Sequence, residues 1–118
     1  MIRAFSFAVA VLLCCLWPST DSISQEQARG LNGYKLSRDC NAEDYAYGQG
    51  YCFGYVAGTW HAFQSIAGQD WFCAPSDATV SQMVDAVVAY LTDHPQRLAE
   101  SGLLLTLDAF KAAFPCVR

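Results

Sequence analysis

The chain is poor in charge, and the charge it has is mostly of one sign. Seven Lys and Arg stand against eleven Asp and Glu, a formal net charge of −4. Nucleic acid is bound by displacing phosphate counterions with a basic surface, so this balance argues against such a partner. Charged residues make up only 15% of the chain and apolar ones 53%. That excludes intrinsic disorder, because disordered chains are polar and highly charged. A length of 118 residues leaves no room for a second core, and one small globular domain is expected.

Long hydrophobic runs are lacking as well. Ala4 to Trp17 is uncharged and apolar over 14 residues, short of the roughly 20 that a helix needs to cross a bilayer. Arg3 precedes it and the small, polar Pro18-Ser19-Thr20-Asp21-Ser22 follows, so residues 1–22 read as a secretory signal peptide. Cleavage near Ser22 leaves residues 23–118 as the mature domain. Cys14 and Cys15 are preceded by Leu13 and Cys14 rather than by the small residue of a lipoprotein signal, and both leave with the peptide.

Four cysteines then remain, Cys40, Cys52, Cys73 and Cys116. An even count in an exported chain implies two disulfides. No two of them form a Cys-x-x-Cys pair, so a zinc site has no local ligand spacing to rest on. A cysteine nucleophile needs a free thiolate, which disulfide partners remove. Histidine is scarce: His61 and His94 stand in neither a metal-ligand nor a triad pattern, and His94 suits a cap on the last carbonyls of a helix. The acids are scattered, with Asp85, Asp93 and Asp108 at positions that suit solvent-facing helix, and no Gly-rich phosphate loop occurs. No catalytic, cofactor-binding or metal-binding residue is assigned, and no enzyme is expected.

What is present is helical periodicity. Val80, Met83, Val84, Val87, Val88 and Leu91 recur on one face of a helix over Thr79 to His94. Thr79 and Gln82 give it a capping box, and His94-Pro95 ends it. A following helix is expected from about Gln96 to Phe114, with Leu103, Leu107, Phe110 and Phe114 inward and Pro115 as its stop. Upstream, Cys52, Val56, Trp60 and Phe63 line one side of a helix over Tyr51 to Ile66. Gly50, Gly54 and Gly58 form a second stripe there, with His61 on it. A glycine costs about 1 kcal/mol against Ala in a helix interior, so close approach of another backbone is implied. Tight packing against a helix of the same chain is the expected cause, with a second subunit as the alternative. A shorter helix over Ala28 to Asp39 would end near Cys40, and Asn41 to Gly50 is rich in turn formers. The fold class is therefore all-α: a small, disulfide-stapled bundle of about four helices.

This topology selects a pairing. On one continuous helix the twelve steps from Cys40 to Cys52 would span about 18 Å at about 1.5 Å each, beyond disulfide reach. The turn-rich segment between them brings them together. Cys73 precedes the third helix and Cys116 follows the fourth, so an antiparallel pair of helices joins those ends. Cys40 with Cys52 and Cys73 with Cys116 are the expected bonds.

Several segments, in order and spacing, resemble one family. They are Tyr51-Cys52-Phe53-Gly54-Tyr55-Val56-Ala57-Gly58, Phe72-Cys73-Ala74-Pro75, Val87-Val88-Ala89-Tyr90-Leu91 with His94-Pro95, and Ala112-Ala113-Phe114-Pro115-Cys116. Together they resemble the Rap/Tai immunity proteins over about Cys40 to Cys116. The resemblance implies a small, exported, helical periplasmic protein without catalytic activity. It also implies binding, as a dimer, to a peptidoglycan amidase effector of a type VI secretion system, with occlusion of the effector's catalytic cleft. Two other classes are weighed beside it. A periplasmic acid-stress chaperone would share the size, helices and disulfides, but the carboxylates within the folded elements are too few for an acid switch. A saposin-like lipid carrier usually has more mature cysteines than the four here.

Two surfaces are candidates for contact. Gln69, Asp70 and Trp71 lie on the longest polar connection, and an aromatic beside an acid suits an interface anchor. Trp71 folding inward with Phe72 is the alternative. On the last helix, Leu104 sits within a polar sector of Glu100, Ser101, Asp108 and Lys111, opposite an apolar face. Leu104, with Gly54 and Gly58 as a second contact, is the expected homodimer surface.

Overall fold

The computed structural model describes residues 30–43, 47–66 and 70–117. The expected signal peptide lies outside these residues with Cys14 and Cys15, as do Ala28 and Gln69. Among the described residues four helices form the fold: α1 (Gly33–Cys40), α2 (Tyr47–Ser65), α3 (Val80–Asp93) and α4 (Gly102–Ala113). A 3-10 turn, Pro95–Arg97, lies between the last two. No strand occurs among the described residues, and one isolated antiparallel bridge pairs Asn32 with Ser101. The bundle is all-α and stapled by two disulfides, Cys40–Cys52 and Cys73–Cys116, with Cα–Cα distances of 5.1 and 4.9 Å.

α3 follows its local signals. Thr79 Oγ1 accepts from the Gln82 amide at 3.3 Å while Gln82 Oε1 accepts from the Thr79 amide at 2.9 Å. Two donors without helical partners are satisfied reciprocally. At the other end His94 Nδ1 donates to the Tyr90 carbonyl at 2.8 Å. The apolar stripe of α3 is wider than the core uses. Met83, Val87 and Leu91 are buried against the other helices, whereas Val84 and Val88, one step round, are half-buried.

The helix expected from Gln96 is interrupted, because α4 starts only at Gly102. Its cause is a junction with α1. Gly33 N donates to Glu100 O at 3.1 Å, Tyr34 N to Leu98 O at 3.0 Å, and Gly102 N to Leu31 O at 2.7 Å. The first amides of two helices thus find carbonyls on each other's approach segments. An unbroken helix through Leu98 and Glu100 would engage those carbonyls internally. Leu105 takes the core position against Gly33, and Leu103, expected inward, is 39% exposed. α1 likewise starts at Gly33 rather than Ala28, with Asn32 Oδ1 accepting from the Lys35 amide at 3.0 Å. Gly30 just before it has φ of 72°, a left-handed conformation that glycine adopts without strain. α2 starts about one turn earlier than expected, at Tyr47, and shortens the connection from α1.

Among the described residues, the glycine stripe on α2 does not pack against another helix. A Cβ built on Gly50, Gly54 or Gly58 meets nothing within 4 Å among the described residues. Close approach occurs elsewhere. A Cβ on Gly33 would lie 2.6 Å from Leu105 Cδ1 and 2.8 Å from both the Leu98 Cα and its carbonyl oxygen. One on Gly102 would lie 3.0 Å from Leu31 O. The core between the helices contains Leu36, Val56, Trp60, Met83, Val87, Leu105 and Phe110.

Candidate functional site

Cys40, Cys52, Cys73 and Cys116 are consumed in disulfides, and no group of three or more His, Cys, Asp or Glu suited to a metal occurs among the described residues. His94 caps its helix and lies on the Tyr90 ring at 4.0 Å. His61 lies exposed against Trp60, 5.1 Å between ring centroids. Among the described residues, neither histidine ring is hydrogen-bonded to a serine, threonine or cysteine side chain.

On the connection before α3, Trp71 and Phe72 part ways. Phe72 turns in and packs on Phe110 at 4.9 Å. Trp71 stays 40% exposed, its edge against Phe63 at 5.6 Å and the Lys111 ammonium 5.2 Å from its ring centroid. Asp70 is exposed beside it. A half-exposed indole is the kind of side chain on which interfaces anchor.

On α4, Leu104 is 56% exposed, and Leu103 beside it widens the apolar surface. The polar sector near it is organised by Arg97, a residue without a role in the sequence pattern. Arg97 donates to both Glu100 carboxylate oxygens at 2.9 and 2.7 Å, to Asp108 Oδ2 at 2.9 Å, and to the Tyr90 hydroxyl. These bonds raise the Arg97 pKa further and hold Glu100 below the usual carboxylate range. Asp108, expected to face solvent, is half-buried in this cluster, where Lys111 Nζ also approaches to 3.8 Å.

Two features of α2 escaped sequence reasoning. Tyr47, Tyr51 and Tyr55 stack at four-residue spacing, with centroids 6.1 and 6.3 Å apart, and Lys35 Nζ lies 4.6 Å from the Tyr51 centroid. Burial, then the neighbouring Tyr51, raises the Tyr55 pKa, so that hydroxyl stays neutral. The spacing was the available signal. The second feature is a groove of about 700 Å³ between α2 and α3, in which Gly50 and Gly54 face Val84 and Val88, with Phe53 and Asp85 at its sides.

Compared with known proteins, residues 32–116 match the family model described as Rap1a immunity proteins. No curated protein and no solved structure matches the chain.

Proposed function

Since the chain belongs to the Rap1a immunity protein family and is thereby an immunity protein directed at a secreted effector, we propose that its target is a peptidoglycan amidase delivered by a type VI secretion system. It binds the enzyme and blocks its catalytic cleft. The observation that carries this reading is the family match over nearly the whole described fold. Two disulfides fit export to an oxidising compartment. No described helix is long and apolar enough to cross a membrane. The site of action is the periplasm, reached through the signal peptide of residues 1–22, and the mature domain begins at about residue 23.

The contact edge is the segment with Asp70 and Trp71. Replacing Trp71 with Ala is expected to weaken binding to the amidase by about 2 kcal/mol, the scale of an interface hot spot. The melting temperature should change little, because the indole is held by one aromatic edge and one ammonium. Calorimetric titration of the purified amidase, paired with a thermal melt, checks both. Absence of binding by the wild-type protein to any amidase effector would refute the proposed target.

The protein acts as a homodimer through Leu104. Leu104→Glu should give a monomer by sedimentation while leaving helicity unchanged. A wild-type protein that sediments as a monomer at high concentration removes the dimer from the proposal.

A further inference from the structure

We propose that the groove between α2 and α3 receives an apolar protein segment flanked by a basic residue, presented by the protein to which this chain binds. The proposal rests on the proposed function only for the identity of the protein that carries the segment.

The groove is made by what α2 omits. Gly50 and Gly54 leave a volume of about 700 Å³ walled by Phe53, Val84 and Val88, and any side chain on either glycine would project into space now open among the described residues. A glycine inside a helix costs about 1 kcal/mol relative to alanine. No packing within the described chain offsets that cost at Gly50 or Gly54, whereas at Gly33 the neighbouring backbone accounts for it. Phe53 is 46% exposed, and the second row of the α3 stripe remains half-buried. Apolar surface with few polar groups at its margin is the character of a recognition pocket.

Charge selects the occupant. Among the described residues, each cation is already engaged: Lys35 and Arg38 with Asp39, Arg97 with Glu100 and Asp108, and Lys111 with Asp108. Asp85 at the groove is exposed and has no such partner among the described residues, nor do Asp77 and Asp93 at the two ends of α3. A second copy of this chain would therefore offer no unengaged described cation to meet Asp85. A lysine or arginine beside an apolar anchor fits both parts of the groove, and the acidic field of α3 steers it there.

The test uses the oxidised mature protein and a displayed library of random peptides, with counter-selection on the Gly54→Leu variant, whose side chain fills the groove. Sequences that combine an aromatic or large aliphatic residue with Lys or Arg should be enriched. A synthetic peptide of that kind should bind Gly54→Leu and Asp85→Lys about tenfold or more weakly than wild type, and Asp93→Lys nearly as well as wild type. Its affinity should fall as salt rises, since Asp85 is exposed. Both groove positions face open space among the described residues, so the variants should fold, which circular dichroism checks. No enrichment, equal binding to Gly54→Leu, or selection of acidic peptides overturns the proposal. So does a wild-type dimer that both groove variants dissociate, because the occupant is then a second copy. If the peptide result holds but no amidase binds, the groove stands and the proposed target fails. An amidase complex insensitive to both variants, with no peptide selected, has the opposite meaning.

Discussion

Replacing Gly33 with alanine is expected to lower the melting temperature by roughly 8 to 16 °C, for a loss of about 2 kcal/mol in a domain of this size. On propensity alone the substitution should help, since alanine is the better helix former by up to about 1 kcal/mol. Packing decides the sign. The new methyl would lie 2.6 Å from Leu105 Cδ1 and 2.8 Å from the Leu98 backbone. A leucine tip can rotate aside, but the Leu98 carbonyl cannot, because it accepts the Tyr34 amide at 3.0 Å. Relief requires α1 to move off the start of α4, which stretches all the amide bonds of that junction. Gly58→Ala is the matched control. Gly58 lies inside α2 with nothing within 4 Å of an added Cβ, so that change should stabilise by about 1 kcal/mol. Urea titrations of the two variants should move in opposite directions. A Gly33→Ala protein as stable as wild type would show that the junction yields.

The other large effect belongs to the Cys73–Cys116 disulfide. Its closed loop has a sequence separation of 43, and the chain-entropy model gives about 4 kcal/mol for a loop of that length. Small domains have a total stability of about 5–15 kcal/mol, so the bond supports much of what is available. Changing both cysteines to serine should therefore leave a protein that is partly unfolded at physiological temperature. The Cys40–Cys52 pair closes a shorter loop, with a separation of 12, and its removal should cost about 3 kcal/mol in the same model. Denaturant midpoints of the two double variants rank the bonds directly. Peptide mapping under non-reducing conditions verifies the pairing, and a Cys40–Cys73 peptide would contradict it.

The parts of this fold that were legible in the sequence are those with local causes. α3 carries its start in Thr79 and Gln82 and its end in His94-Pro95, and both bonds of the capping box form. The disulfide pairing was legible because a single long helix cannot bring Cys40 to Cys52. The start of α4 was not, since Gly102 N finds its acceptor at Leu31, far away in sequence. Glycine was ambiguous for a related reason. The sequence shows where a side chain is missing, but not what stands opposite: the Leu98 backbone at Gly33, open space among the described residues at Gly54. At the candidate site, the exposure of Leu104 agrees with its polar surroundings, whereas Trp71 and Phe72 were indistinguishable until their directions were known. The groove depends on how α2 and α3 are rotated against each other. Its advance traces were the glycine stripe on α2 and the breadth of the valine stripe on α3.

The two disulfides follow one another along the chain, and neither loop encloses a cysteine of the other. A chain that emerges N-terminus first exposes Cys40 and Cys52 before Cys73 has appeared. Among these four cysteines the first oxidation then has a single outcome, and the second pair is all that remains for the next. Thiol exchange to correct a wrong bond is unnecessary on such a route. The order of the cysteines thus acts as an assembly schedule, one that a denatured, fully reduced chain lacks when all four thiols compete at once. Refolding from that state should pass through mispaired species that vectorial emergence avoids.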